Sequence, residues 1–496
     1  MSAPTKQNGT APCLPPSWDP DHLRTRFVSA LSAMYRAEVP LYGSLVDIVR
    51  DVDASVLAAR GSSSSSLPVR HQLERHGAIR LGTEAEMRTI ARLFSLLGMH
   101  PVGYYDLKMV GFPLHGTAFR PTTAKALSAN PFRVFTTVLR ADLIASPSVR
   151  KTATSLLAQR ELFSPRLRAL LAQTETAPST LTPADADDLI IESLRIFKWH
   201  SRATVPLETY LALKREHPMV ADIVCFPSAH INHLTPRTLD IDAAQAAMIA
   251  RGLPAKECIE GPPGGRKCEI LLRQTSFKAL EERVVFVDES SSSSGSEGEE
   301  NGARKAKAKT GTHTARFGEI EQRGAAVTRK GRELYDRLLA GGIGKAAEEG
   351  RELAEVLGEM FQKEYPDEWD ELRVRGLVYF RYRDVEGGRG KVTALGGEVD
   401  METLLEAGAV ECEPITYEDF LPLSAAGIFA SNLGDGSDGS TERKLQKTEQ
   451  GRSRAELEAL LGCEIPSEID LYEKLQTESV KECEEALGIS GITLAA

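Results

Sequence analysis

The chain has 496 residues, 42% hydrophobic and 26% charged, a composition that fits a soluble globular protein of two or three ordinary domains or one elaborated domain. A net charge of −10 argues against nucleic acid as a partner, and no apolar run approaches the roughly 18 residues of a membrane span. Seven scattered cysteines without a C-x-x-C pair suit reduced thiols rather than a disulfide framework or zinc knot. The polar, proline-containing start is no secretory signal, so the expected location is the cytoplasm.

In chain order, residues 1–18 read as a disordered leader. From Asp21, Leu23, Phe27, Ala30, Leu31 and Met34 recur at helical spacing, and a second helix follows over 42–56. Gly61 and the serine run 62–66 form a loop before a strand containing Arg75-His76-Gly77-Ala78-Ile79-Arg80. Thr83 and Glu86 form a capping box that opens a helix, and Gly98 closes it. With the apolar-aromatic stretch 101–110, this succession has the order of a β-α-β unit. A further strand lies within 132–144. Residues 146–217 read as a helical insertion, with helices at 148–160, 183–199 and 207–216. The apolar run 219–226 reads as a strand leading into the turn His230-Ile231-Asn232-His233. A short helix over 242–251 precedes strands at 271–277 and 283–288.

Between residues 289 and 314 the composition turns to serine and acidic residues and then to Arg304-Lys305-Ala306-Lys307-Ala308-Lys309, a run too polar to order itself. It reads as a solvated insertion rather than a nucleic-acid patch, because acidic neighbours offset its charge. Order resumes at Arg316, with helices at 328–339 and 345–365 and a strand at 377–382. An apolar, glycine-containing segment spans 417–429. Residues 436–496 read as a low-complexity linker (434–440) and a charged helical tail. The fold class is therefore α+β.

Three places carry chemistry. On a strand, His76, Ala78 and Arg80 share a face, with the imidazole and the guanidinium about 13 Å apart at roughly 3.3 Å per residue. A neutral imidazole can bind a metal, and a guanidinium can clamp a carboxylate through two parallel hydrogen bonds. His230 and His233 lie on a turn after a buried element, where a rigid scaffold positions side chains. In Phe317-Gly318-Glu319-Ile320-Glu321-Gln322-Arg323, the two carboxylates share a face and repel unless a cation separates them; a metal can satisfy one and Arg323 the other. Two histidines and a carboxylate on separate elements make the facial triad of non-haem iron(II) oxygenases. Spacing alone leaves His230 against His233, and Glu319 against Glu321, undecided.

Six segments then carry a resemblance: residues 76–80, 98–120, 130–140, 231–242, 316–324 and 417–433. In matching order over about 22–435, they are similar to the 2-oxoadipate dioxygenase/decarboxylases, an offshoot of the vicinal-oxygen-chelate superfamily. The resemblance implies a vicinal-oxygen-chelate-like mixed or antiparallel sheet around a metal site, with added helical subdomains, in a domain spanning 19–435. It implies iron(II) held by His76, His233 and Glu319. Arg80 is implied as the substrate arginine, and Leu423 and Ser424 as part of the segment that closes over the substrate; Leu423 stands where the family pattern has valine. The implied reaction converts 2-oxoadipate and O2 to 2-hydroxyglutarate and CO2 in lysine breakdown. The competing readings are an oxygenase for another 2-oxo acid and a non-catalytic metal- or metabolite-binding relative. The partners expected are therefore a small 2-oxo dicarboxylic acid and O2, without nucleic acid or membrane.

Overall fold

Strand β1 (Glu74–Leu81) is buried along all eight residues, as a strand covered on both faces must be. The computed structural model that shows this describes residues 18–62, 67–288, 309–395, 400–421 and 446–494. Ahead of β1 lie the helices Pro20–Glu38 and Pro40–Ala59. Proline opens each, where its missing N–H costs nothing, and the Asp19 carboxylate caps the first by accepting from the His22 amide. After β1, the helix Glu84–Leu96 starts at the reciprocal capping box of Thr83 and Glu86. Gly98, at φ +66°, then turns the chain into the next strand.

β2 (His100–Asp106), β3 (Leu114–Arg120), β4 (Arg133–Leu139) and β5 (Leu234–Pro236) complete a five-stranded sheet in the order β2-β3-β4-β1-β5. β4 runs parallel to β1, while the other pairings are antiparallel. β1, its helix and β2 thus form a crossover unit with β4 and β3 lying between its two strands. Beyond this sheet, β6 (Leu272–Ser276) pairs with β9 (Glu319–Arg323), and β7 (Leu280–Val285) pairs with β8 (Thr310–Arg316). β10 (Phe380–Asp384) pairs with β11 (Val410–Pro414). The α+β class and the mixed sheet are those expected.

The faces of β1 divide the core. Ile79 and Leu81 pack with Phe27, Leu31 and Phe94, whereas Ala78 joins Phe135, Leu157 and Phe420 on the side of His76 and Arg80. A third cluster gathers Tyr335, Phe361, Phe380 and Tyr472, so the helix Glu468–Leu487 near the chain's end buries part of its surface there.

Several elements differ from the sequence expectation. The apolar run 219–226 is a helix, Pro218–Val224, whose first turn is capped by His217 Nδ1 accepting from the Met219 amide. All seven residues after His217 except Pro218 are buried, and a short apolar run surrounded by protein carries no periodicity that separates strand from helix. Thr310–Thr314, expected to belong to the disordered insertion, begin β8; polar as they are, pairing with β7 orders them. Trp18, at the end of the expected leader, is buried, and its indole N–H donates to the Thr182 carbonyl at 3.1 Å. The helix Pro165–Thr176 was not foreseen. The helix Arg329–Glu349 runs unbroken past Gly341 and Gly342; glycine at 342 leaves room for the neighbouring helix, since a Cβ there would meet Leu357 Cδ2 at 2.4 Å. Leu423, Ser424, the low-complexity stretch 434–440 and basic residues 304–308 lie outside the described residues. No helix among the described residues is long and apolar enough to cross a membrane.

One glycine on β1 decides how closely its neighbour can approach. A Cβ at Gly77 would sit 2.6 Å from Ile231 Cδ1 and 2.8 Å from the His233 carbonyl oxygen. The Gly77→Ala substitution is expected to lower stability by about 1–3 kcal/mol through overpacking and to displace the turn that carries His233. Thermal unfolding checks the first effect and metal content the second; an unchanged melting temperature together with unchanged metal content would show that the contact is soft.

Candidate metal centre

Three segments distant in sequence are stitched together by backbone hydrogen bonds. The Asn232 amide donates to the Ala78 carbonyl of β1 at 3.0 Å, and the Phe317 amide donates to the Asn232 carbonyl at 3.0 Å. The Tyr35 hydroxyl stands between the Asn232 and Phe317 carbonyls, 2.8 and 2.7 Å away. This stitching brings His76 from β1, His233 from the turn before β5 and Glu319 from the start of β9 together, with one ligand atom from each within 4.8 Å of the others. His76 Nε2 is 2.7 Å from Glu319 Oε1, and the Thr235 hydroxyl lies 3.1 Å from the former and 3.3 Å from the latter. His233 stacks on Phe317 at 4.6 Å and meets His76 edge-on at 5.3 Å, while Phe420 covers the other side of His76 at 4.8 Å. None of the three side chains is more than 4% exposed.

Burial holds His233 down to about 3, so its imidazole is neutral at ordinary pH. Among the described residues, neither of its ring nitrogens has a hydrogen-bond partner, and Glu319 Oε2 has none either. Burial pushes the Glu319 carboxyl up, but His76 and His233 pull it back, and the net effect is downward, toward a carboxylate. Buried lone pairs left without donors are costly, and a divalent cation is the group that two imidazoles and a carboxylate accommodate.

The two glutamates of β9 part company here. Both oxygens of Glu321 are taken by Arg323, Nε to Oε1 and Nη2 to Oε2, each at 2.7 Å. Glu321 Oε2 also lies 2.8 Å from His76 Nδ1, behind the imidazole. Strand alternation does put both carboxylates on one face, but Glu319 meets His76 at Nε2 and Glu321 meets it at Nδ1. His230 stays out of this group: its Nε2 lies 3.1 Å from Asp222 Oδ1. Arg80 also reaches Asp222, with Nη1 donating to Oδ2 at 2.6 Å.

Sequence reading missed the residues that support these groups. Arg75 and Arg133 both donate to Glu418 Oε2, at 2.7 and 2.6 Å. Arg120 clamps Asp419 at 2.7 and 2.8 Å, and Arg323 Nη1 donates to the Asp419 carbonyl at 2.5 Å. These pairings fix the two residues immediately before Phe420, the ring against His76. An acidic pair between aromatic residues, Tyr417-Glu418-Asp419-Phe420, was the available signal; the same reasoning would have noticed Asp222 as the one charge in the apolar run.

Comparison with known proteins places the chain in a family. Residues 27–432 match the family model described as 2-oxoadipate dioxygenase/decarboxylase. The chain belongs to the 2-oxoadipate dioxygenase/decarboxylase family. A family member from Pseudomonas putida is 44% identical over 484 residues, covering 95% of this chain and 98% of that protein. One from Escherichia coli is 45% identical over 470 residues, covering 93% and 98%. Among solved structures, the hydroxyglutarate synthase of Pseudomonas putida in complex with 2-oxoadipate matches with a TM-score of 0.80 at 42% identity, over 95% of this chain and 99% of that one.

The buried acid–arginine pairs also set an acid limit for this family member. Burial pushes the Glu418 carboxyl up, yet Arg75 and Arg133 more than offset it and hold it below its ordinary value. A carboxyl depressed in the folded state contributes its stability in full above the unfolded value, about 4.3, and loses it as pH falls through the folded value. Stability is therefore expected to fall steeply below about pH 4.3. The Glu418→Gln variant should lose about 3–5 kcal/mol at neutral pH and show a shallower acid decline. Denaturant titrations at several pH values measure both, and a variant whose acid decline matched the parent's would remove Glu418 from this role.

Proposed function

We propose that this chain is an iron(II)-dependent dioxygenase/decarboxylase that converts 2-oxoadipate and O2 to 2-hydroxyglutarate and CO2, in lysine breakdown. His76, His233 and Glu319 hold the metal, and Arg80 receives the distal carboxylate of the substrate. The observation that carries this reading is the buried two-histidine, one-carboxylate group with unpaired lone pairs, in a chain of this family. Iron(II), when bound, supplies a chelation point for the 2-oxo acid and activates O2.

The chemistry balances without a second substrate. The first carboxyl leaves as CO2, one atom of O2 completes the new carboxylate at the former keto carbon, and the other becomes the hydroxyl on the next carbon, C3 of 2-oxoadipate and C2 of the product. The protein's share is orientation and exclusion of water. Thr235 lies within hydrogen-bond distance of both His76 and Glu319, and Glu321 stands behind His76 at Nδ1, where a carboxylate fixes ring orientation and raises ligand basicity. Phe317 and Phe420 wall the ligands with apolar rings. A guanidinium matches a carboxylate in shape as well as charge, so Arg80 selects an acid with a second carboxylate at the right reach. Leu423 and Ser424 complete the substrate contacts in this reading, which the resemblance alone supports.

The proposal is tested by anaerobic iron reconstitution followed by oxygen uptake with 2-oxoadipate, with one CO2 released per O2 consumed. His76→Ala should retain neither iron nor turnover. Glu321→Gln should keep the site but weaken metal affinity about 10- to 100-fold. Arg80→Lys should raise KM for 2-oxoadipate steeply, because a point charge does not reproduce the two-pronged clamp. Full turnover by His76→Ala, or reconstituted enzyme inert toward 2-oxoadipate, would overturn the assignment.

A further inference from the structure

A second group of metal-ligand types lies near the first: Asp222, His230 and His313, all buried, with one ligand atom from each within 4.8 Å of the others. Its internal geometry is not that of an ion cage. His230 Nε2 and His313 Nε2 both approach the same oxygen, Asp222 Oδ1, at 3.1 and 2.8 Å. The other oxygen, Oδ2, accepts from Arg80 Nη1 at 2.6 Å. A guanidinium so close to the only carboxylate opposes a second dication by charge and occupies the oxygen it would need. Burial lowers the His230 imidazole, and toward a carboxylate oxygen its Nε2 can only donate. His313 in turn has its Nδ1 2.9 Å from the Tyr210 hydroxyl and is sandwiched by Trp199, 5.9 Å away and nearly parallel, and Phe226 at 4.7 Å.

We propose that Asp222 is a positioning residue for the substrate arginine: held by His230 and His313, it fixes the plane of Arg80 and thereby sets which length of 2-oxo dicarboxylic acid fits. The inference rests on the reading of Arg80 given under Proposed function. A lone arginine side chain has many rotamers and loses much entropy when it binds. One already fastened through Nη1 to a carboxylate that two imidazoles hold meets its ligand with that cost met in folding. The arrangement also gives the helices around 207–224 a task. Tyr210 and Asp222 come from two consecutive helices and His313 from β8; Tyr210 meets His313, His313 meets Asp222, and Asp222 meets the guanidinium of β1.

The test uses the iron-loaded full chain and three substrates: 2-oxoadipate, its one-carbon-shorter homologue 2-oxoglutarate, and 2-oxohexanoate, which has the same carbon chain but no distal carboxylate. Asp222→Asn keeps the size of the side chain and removes its charge. It should raise KM for 2-oxoadipate between about tenfold and hundredfold, the scale of a misplaced binding group. It should also narrow the preference for 2-oxoadipate over 2-oxoglutarate, with KM for 2-oxohexanoate and the iron content unchanged. Combined with Arg80→Lys, its effect should be less than additive. If Asp222→Asn folds poorly, His313→Gln serves instead, with the same split at smaller size. Equal losses on all three substrates would mark the group as merely structural, and a second tightly bound metal per chain, lost in Asp222→Asn and kept in His76→Ala, would make it a metal site; either result overturns the inference. If Arg80→Lys itself leaves KM for 2-oxoadipate unchanged, it is the underlying reading of Arg80 that fails.

Discussion

Everything around the centre depends on one constraint: β1 is buried on both faces yet carries Glu74, Arg75, His76 and Arg80. Burial strips these groups of bulk hydration, so each must find its counterpart in the protein. Each finds it on a different part of the chain. Glu74 accepts from Tyr42 and from Ser32, on the two N-terminal helices. Arg75 reaches Glu418, more than three hundred residues away. His76 stands between Glu319 and Glu321 of β9, and Arg80 is paired with Asp222. A single strand therefore fixes the relative placement of the N-terminal helices, the helix Pro218–Val224, β9 and the segment 417–421.

The same constraint accounts for the hierarchy of carboxylates around His76. With Glu319 and Glu321 two residues apart on one face, two negative charges flank one imidazole, a situation that costs several kcal/mol unless cations intervene. Arg323 closes on Glu321 with both prongs and also ties itself to the backbone at Asp419. That leaves Glu319, of the two, with an oxygen that no donor among the described residues satisfies. Asymmetry between two chemically identical side chains thus arises from where one arginine sits, not from the glutamates themselves.

How much of this was legible in the sequence follows from the range of each interaction. The capping box of Thr83 and Glu86, the helix near Ile241 and the face shared by His76 and Arg80 are local, and period and spacing disclose them. The grouping of His76, His233 and Glu319 was legible only through the family resemblance, because no local pattern records that the Asn232 amide meets Ala78 or that the Phe317 amide meets Asn232. The 219–226 run was misread for a related reason: a stretch buried on every side has lost the alternation that would distinguish strand from helix. Asp222 lay inside that run, so the error in secondary structure also hid the partner of Arg80. Thr310–Thr314 show the converse, since their polar composition gives no sign of the pairing with β7 that makes them a strand.

A fold optimised for stability alone would not be built this way. Replacing a buried ion pair by well-packed apolar residues is often neutral or stabilising, and this chain buries at least six arginine–carboxylate pairings around one strand and its neighbours: Arg75 and Arg133 with Glu418, Arg120 with Asp419, Arg323 with Glu321, Arg80 with Asp222 and Arg160 with Glu86. What such pairings provide that apolar packing does not is direction. A bidentate guanidinium fixes its partner in plane and in angle, and a low-dielectric surrounding makes each misalignment expensive. Four of these six bear on the candidate metal-ligand group or on Phe420 against it, and a fifth holds Arg80, so the rigidity is concentrated around the proposed site, where such geometry must be held within fractions of an ångström. The polar interior of this sheet is therefore best understood as the means by which a stable scaffold holds a reactive centre in place.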